Sequence, residues 1–184
     1  MEKLYIHRQE REIIPPDLFR HYVDARKKAF ATGGDQLYIL DDALPGFKVF
    51  RWKNPELPYH FEDHYTDTLK GSGNFAGFEI NRKNSRKGER LTFYDYSGGL
   101  TEEGMKLGED AVYSRLRKFL GECTELVRIG RTGRFNFKDE LGKWVYEGKA
   151  TVEAYGWHDD ELISRNGILV YKLRGNGICF IHGF

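Results

Sequence analysis

Apolar and polar residues recur along the chain with a period that changes from one segment to the next. Residues 15–34 have apolar positions at helical spacing, begin with two prolines and end at Gly33-Gly34, which predicts a helix. The next segments instead alternate with a period of two, as half-buried strands do. They predict four strands, at 47–53, 59–69, 75–81 and 91–96.

The second part of the chain has the same order of patterns. A buried stripe predicts a helix over 109–120. Strands are predicted at 134–137, 143–155, 160–165 and 168–174, with a last edge strand at 178–181. Asn166-Gly167 between two apolar runs predicts a tight hairpin.

The two halves also match in residues as well as in order. Phe75 lies four positions before Glu79, and Trp157 lies four positions before Glu161. Tyr94 and Tyr171 match in the strand that follows. We therefore predict an α+β fold with a mostly antiparallel sheet, built from two duplicated α-β-β-β-β units with two main helices packed on one face. The chain, 1–184, would be one domain of two pseudo-repeats, at about 17–100 and 105–181.

Composition excludes several classes of protein. The formal net charge of +1 argues against direct nucleic-acid binding and against an anionic membrane partner. No apolar run has the length of a membrane span. Two cysteines exclude a disulfide framework and a four-cysteine zinc site, and we expect a cytoplasmic location.

Several short motifs recur along the chain: Asp63-x-Tyr65, Phe75-x-Gly77-x-Glu79, Tyr94-x-Tyr96-x-Gly98-Gly99 and Trp157-x-x-x-Glu161 followed by Tyr171. Together they resemble a bacterial family of unknown function whose domain occurs alone or behind helix-turn-helix segments of transcriptional regulators. The resemblance covers roughly residues 18–178 and implies a sensing or ligand-binding domain. The chain departs from the family because residues before Asp17 are too few for a helix-turn-helix module, and because the second Tyr-x-Gly-Gly motif is degraded.

Glu79 and Glu161 are the main candidates for function, because each lies in an otherwise apolar strand. One interpretation is a pocket between the repeats in which carboxylates and aromatic walls bind a small polar or cationic ligand. Its residues would be Glu79, Glu161, Asp63, Tyr65, Tyr94, Tyr171, Trp157 and Phe75. The simpler interpretation is that each glutamate accepts hydrogen bonds from a tyrosine or an arginine, or faces water.

Two other functions stay open. A small hydrolase or isomerase could use the carboxylates of Glu79 and Glu161. An interaction module could pair through the predicted edge strand at 178–181, with itself as a homodimer or with another protein. We expect a non-enzymatic binding module, since no catalytic motif is present, and we expect no cofactor.

The remaining polar clusters are expected to be solvated. His60-x-Glu62-x-His64 has the residue types of a metal site, but its strand has its apolar residues on the other face, so we expect no metal. The basic stretch 82–90 could contact phosphates, yet it has no interleaved aromatic residue and is expected to be an exposed hairpin tip.

Overall fold

The computed structural model describes residues 2–7, 14–31, 38–69, 73–123 and 129–181. Its helices are Pro16–Arg26 (α1), Glu102–Leu107 (α2) and Glu109–Cys123 (α3), and α1 continues into a π-helical turn at Lys27–Ala31. Its strands are Glu2–His7 (β1), Ile39–Leu40 (β2), Lys48–Lys53 (β3), Tyr59–Leu69 (β4), Asn74–Lys83 (β5), Arg90–Leu100 (β6), Thr132–Asp139 (β7), Gly142–Val152 (β8), Gly156–Arg165 (β9) and Ile168–Cys179 (β10).

In the described part of the chain, the ten strands form one sheet in the order β1-β7-β8-β9-β10-β6-β5-β4-β3-β2. Every pairing between neighbouring strands is antiparallel. The predicted α+β class with an antiparallel sheet is therefore confirmed. Strands β3 to β6 and strands β7 to β10 form two consecutive meanders, and the last strands of the two meanders, β6 and β10, pair at the middle of the sheet.

The strand registers bear on the residue matches from which we predicted a duplication. Glu79 pairs with Tyr94 across β5 and β6, whereas Glu161 pairs with Leu173 across β9 and β10. Tyr171 is opposite Ile163. If Glu161 is superposed on Glu79, Leu173 takes the place of Tyr94, and Tyr171 is two positions away. The two glutamates and the two tyrosines therefore cannot both be structurally equivalent.

Most predicted strands are present, with ends that differ by a few residues. The predicted edge strand at 178–181 is wrong, because Ile178 and Cys179 belong to β10, which pairs with both β6 and β9. The sequence patterns did not predict β1, β2 or α2. The predicted helix end at Gly33-Gly34 lies outside the described residues.

Alternation along the strands gives the sheet two different faces. We call one of them the carboxylate face, because Asp63, Glu79, Asp159 and Glu161 lie on it. Their positions follow from the registers, which pair Asp63 with Glu79 and Glu79 with Tyr94, and Tyr94 with Gly177 in turn. The hydrophobic core lies on this face.

Helices α1 and α3 contribute fully buried residues to that core. Tyr22 of α1 lies with its ring centroid 5.7 Å from that of Phe61 in β4. Phe119 of α3 contacts Phe137 and Tyr146, at centroid distances of 5.0 and 5.3 Å. None of the described helices is long and apolar enough to cross a membrane.

Candidate functional site

Two glycines of β10 leave room for aromatic rings to lie against the sheet on the carboxylate face. A Cβ atom on Gly175 would clash with the Tyr94 ring, and one on Gly177 would clash with the Trp157 ring. The Tyr94 and Trp157 rings are nearly parallel, with an interplanar angle of 11° and centroids 6.0 Å apart. The glycines thus allow a flat aromatic floor to form between the buried carboxylates.

Glu79 is 1% exposed, and its carboxylate is bound by two residues of α1. The Arg26 Nε atom donates to Oε1 at 3.1 Å and to Oε2 at 2.9 Å, and Nη2 lies 2.7 Å from Oε2. The Tyr22 hydroxyl also donates to Oε2. The guanidinium carbon of Arg26 lies 4.5 Å from the Tyr22 ring centroid and 4.7 Å from that of Tyr94, so the cation is enclosed by aromatic faces as well as by the carboxylate.

Asp63 is fully buried directly across the strand pair from Glu79. The hydroxyls of Tyr38 and Tyr96 donate to its two oxygens, the second at 2.7 Å. Burial and the negative charge of Glu79 raise the pKa of Asp63, and the two tyrosine hydrogen bonds oppose this rise without cancelling it.

Asp159 lies on β9 and is 3% exposed. It accepts hydrogen bonds from the backbone N–H groups of Ile129 at 3.1 Å and Gly130 at 3.2 Å, and from Trp157 Nε1 at 2.9 Å. Ile129 and Gly130 have φ values of 54° and 76°, so two successive left-handed residues point their N–H groups at this carboxylate. Burial nevertheless raises the pKa of Asp159 to about 7; the nearby Glu161 adds to the rise, and Arg26 opposes it.

Glu161 is 1% exposed and lies two residues along β9 from Asp159, on the same face. Strands β6 and β10 separate it from Glu79 on β5. The structure therefore places the two predicted glutamates on one face of the sheet, on opposite sides of its central strand pair.

The other predicted site residues form the aromatic part of this face. The Phe75 ring contacts those of Tyr65 and Tyr171, with centroids 5.9 and 6.2 Å apart. Tyr94 and Trp157 form the floor beside Arg26. All eight predicted residues lie on the carboxylate face.

Sequence analysis missed several residues that complete this cluster. Tyr22, Arg26, Tyr38 and Asp159 all bind or belong to the buried carboxylates. One signal was available, because Arg26 follows Tyr22 by four residues and so continues the buried stripe of α1.

Two buried carboxylates of this face, Asp63 and Asp159, accept hydrogen bonds but have no ion pair among the described residues. Asp63, Glu79, Asp159 and Glu161 are each at most 3% exposed, while Arg26 is the one Arg or Lys among the described residues that is equally buried. Burying an uncompensated carboxylate is costly, and the raised pKa values of Asp63 and Asp159 are the direct result.

The expectation that His60, Glu62 and His64 face water was wrong. They are 9%, 5% and 8% exposed. The Glu62 carboxylate is bound by arginines, and His64 Nδ1 lies 2.6 Å from Asp41 Oδ2. Among the described side chains, no group of three or more His, Cys, Asp or Glu is placed to hold a metal ion.

Burial and arginine contacts have opposing effects on Glu62. Burial raises its pKa, but the neighbouring His60 and the hydrogen bonds from Arg51 and Arg86 outweigh this effect and hold it at about 2. Glu62 is therefore ionised at neutral pH.

Comparison with protein-family models, with curated proteins and with solved structures finds no match to this chain, so its function is argued from the geometry above.

Proposed function

We propose that this protein is a non-enzymatic binding or sensing domain for a small, positively charged molecule. The observation that supports this proposal is that Asp63 and Asp159 are buried on the carboxylate face without an ion pair in the described part of the chain. A bound cation would offset the cost of ionising Asp63 and Asp159, which is the kind of interaction energy that a ligand can supply.

The surroundings of Arg26 indicate how such a ligand would be bound. Its guanidinium is held by the Glu79 carboxylate and lies against the rings of Tyr22 and Tyr94. Carboxylates beside aromatic faces are typical of sites for organic cations. On the far side of the Tyr94 ring, the Asp159 carboxylate and the Trp157 ring offer the same two chemical groups to a second cation.

Burial sets a condition on this mechanism. The four carboxylates are at most 3% exposed, so a ligand reaches them only when a covering segment moves. Helix α1 is such a segment, because Tyr22 and Arg26 cover Glu79. Displacement of α1 by a ligand would couple binding to a change of shape, as a sensing role requires.

We also propose a duplicated origin of the two meanders, two main helices packed on one face, a ligand site between the meanders, a cytoplasmic location and a role beside transcriptional regulators. A hydrolase or isomerase that uses Glu79 and Glu161 has less support, because β6 and β10 separate the two residues and both Glu79 oxygens are bonded to Arg26.

A thermal-shift experiment at pH 8 tests the proposal. Choline and putrescine are compared with 3,3-dimethylbutan-1-ol, a neutral isostere of choline, at matched ionic strength. A ligand at about 100 times its dissociation constant stabilises a protein by about 2.7 kcal/mol. For a chain of this size, that is a rise in Tm of roughly 5–10 °C.

Two variants make the result specific. Glu161→Gln removes one carboxylate of the cluster and should reduce the cation-dependent shift, whereas Glu102→Gln, at a side chain that is 84% exposed, should leave it unchanged. The proposal fails if neither cation raises Tm above the neutral isostere, or if both variants respond like the wild type.

A further inference from the structure

A second cluster lies on the face of the sheet opposite the carboxylate face, around Glu62. Three arginines from three segments meet there: Arg51 of β3, Arg82 of β5 and Arg86 of the hairpin tip at 84–89. Arg51 Nε and Arg86 Nε both donate to Glu62 Oε1, at 3.1 and 2.9 Å, and Arg82 Nε lies 3.9 Å from Oε2. We call these three residues the arginine cluster.

The arginine cluster is accessible to a solute, unlike the carboxylates on the other face. The side chains of Arg51, Arg82 and Arg86 are 24%, 20% and 56% exposed, and that of Glu62 is 7% exposed. Glu62 is thus at the base of the cluster, and the guanidinium groups form its rim.

Donors remain available at that rim. Arg51 and Arg86 bind Glu62 through Nε, and in the described part of the chain their Nη groups have no hydrogen-bond partner. The nearest carboxylate to an Nη atom of Arg51 is Asp41, at 3.9 Å, and that residue is already bound to His64. Arg82 Nη1 donates to the Gly88 carbonyl oxygen at 3.4 Å, and Arg82 Nε is buried, so Nη2 is the accessible Arg82 nitrogen without a hydrogen-bond partner among the described atoms.

Charge supports the same conclusion. Glu62 neutralises one of the three guanidinium groups, and Asp41 is shared with His64. The rest of the stretch 82–90 adds Lys83, Lys87 and Arg90 against one acidic residue, Glu89. The local excess of positive charge therefore contrasts with the net charge of +1 for the whole chain.

We propose that the arginine cluster binds the phosphoryl group of an anionic ligand. A phosphoryl group presents several charged oxygens to several donors at once, and guanidinium groups suit this geometry better than ammonium groups do. Glu62 fixes two of the guanidinium groups before a ligand arrives, which lowers the entropy cost of binding. From the sequence we expected the basic hairpin tip to be solvated. The fold brings Arg51 next to the tip, which thereby becomes part of the proposed site.

Calorimetric titration of the whole protein with sodium pyrophosphate, at constant ionic strength and pH 7.5, tests this inference. Saturable binding is expected, while sodium chloride at the same ionic strength gives none. Arg82→Gln/Arg86→Gln should weaken pyrophosphate binding by about tenfold or more, since two charge-assisted contacts are lost. Arg86→Gln alone, at the most exposed of the three positions, should give a smaller loss with an unchanged melting temperature.

Lys83→Gln/Lys87→Gln is the matched control. It removes the same charge from the same hairpin but leaves the groups at Glu62 intact, so the affinity should change by less than about threefold. Equal losses in both double variants would mean attraction to charge alone and would overturn the proposal. Unchanged binding in Arg82→Gln/Arg86→Gln would do the same.

The source of the phosphoryl group is distinguished by a second probe, a fluorescent twelve-nucleotide oligothymidylate. Tighter binding of this probe than of pyrophosphate, lost in Arg82→Gln/Arg86→Gln, assigns the site to a nucleic-acid backbone. Tighter binding of pyrophosphate assigns it to a small phosphorylated ligand. Failure of both probes contradicts the inference. It does not bear on the proposed cation site, which is tested separately by Glu161→Gln on the other face of the sheet.

Discussion

Burial shifts the pKa values of Asp159 and His21 in opposite directions. It raises the pKa of Asp159 to about 7, because the charged form of an acid is disfavoured away from water. It lowers the pKa of His21 to about 4, because there the protonated form is the charged one. His21 is stacked on Trp52 at 4.9 Å, and no described atom bonds to either of its ring nitrogens.

These two shifts give opposite dependences of stability on pH. Between the unfolded pKa of 3.8 and the folded pKa of about 7, Asp159 binds more protons in the folded state, so its contribution to stability falls as pH rises. Between about 4 and the unfolded pKa of 6.5, His21 binds more protons in the unfolded state, so its contribution rises with pH. In the wild type the two effects partly cancel.

We therefore predict that Asp159→Asn and His21→Phe change the pH slope of stability in opposite senses. The free energy of unfolding of Asp159→Asn should rise more steeply with pH than that of the wild type between pH 4.5 and 6.5. That of His21→Phe should rise less steeply or fall. Each change in slope is at most about 1.4 kcal/mol per pH unit, the value for one proton.

Urea denaturation at several pH values measures both slopes. The slope is the quantity to compare, because Asp159→Asn also weakens the hydrogen bonds from Ile129 and Gly130 and so lowers stability at every pH. If both variants had the slope of the wild type, the pKa values of Asp159 and His21 would not differ between the folded and unfolded states in this pH range.

For the interactions of the buried carboxylates, the sequence identified acidic residues but not the residues that bind them. A carboxylate within an apolar strand is visible as a break in the pattern, which is why Glu79 and Glu161 could be nominated, and Asp63 was added because its hairpin was expected to lie in the same sheet. Their partners were not visible, because Arg26 and Tyr22 are 53 and 57 residues away from Glu79 in the chain. Only the packing of α1 on the sheet brings them together.

Among the elements, long strands with regular alternation were predicted well. The 11 residues of β4 were predicted with the same ends as the structure has. Strand β2 has two residues, too few for any period to be visible. Strand β10 was predicted to end at Arg174, because Gly175-Asn176-Gly177 has the composition of a turn.

In the structure these glycines continue β10, and Gly175 and Gly177 leave room for the rings of Tyr94 and Trp157. Gly177 is opposite Trp157, whose ring occupies the space that a side chain at 177 would need. Glycine within a strand can mark the close approach of another group, and that is its role here. The same residue type therefore has two meanings that sequence alone does not separate.

Gly177→Ala is expected to destabilise the protein by about 1–3 kcal/mol, because the added methyl group overpacks a site beside a tryptophan that is 1% exposed. The smaller ring of Trp157→Phe should relieve part of this clash. The double variant should then be more stable than the sum of the single losses predicts, by about 0.5 kcal/mol or more. Chemical denaturation of the four proteins measures this coupling.

Lys172→Ala, at an exposed position of the same strand, serves as the control and should change stability by less than about 0.5 kcal/mol. Strict additivity of Gly177→Ala and Trp157→Phe would show that the ring and the glycine do not share space.

For the whole molecule, Arg26 links α1 to the sheet and also lowers the cost of the buried carboxylates. Its positive charge lowers the pKa values of both Asp63 and Asp159, on either side of the Tyr94 ring, in addition to its ion pair with Glu79. A buried ion pair loses about 3–5 kcal/mol when one partner is removed. In an isolated pair, removal of either partner would leave one buried charge behind.

The two buried carboxylates without an ion pair among the described residues make this pair asymmetric, which leads to a prediction for the whole fold. Arg26→Met should cost about 3–5 kcal/mol, since it leaves Glu79 unpaired and also removes the opposing charge from Asp63 and Asp159. Glu79→Gln should destabilise the protein less than Arg26→Met does, by about 1 kcal/mol or more. The positive charge of Arg26 still interacts with Asp159, and the repulsion between Glu79 and Asp63 disappears.

Two measurements check this asymmetry together. Urea denaturation at pH 8, where Asp159 is mostly ionised, gives the two losses in stability. Carbon-13 NMR titration of the carboxyl groups should show the pKa of Asp63 falling in Glu79→Gln, and the pKa values of Asp63 and Asp159 rising in Arg26→Met, provided that the variant stays folded. Equal losses in the two variants, with both pKa values unchanged, would mean that Arg26 acts only on Glu79. A nearby positive charge would then not change the ionisation of Asp63 or Asp159, and the basis of the proposed function would be removed.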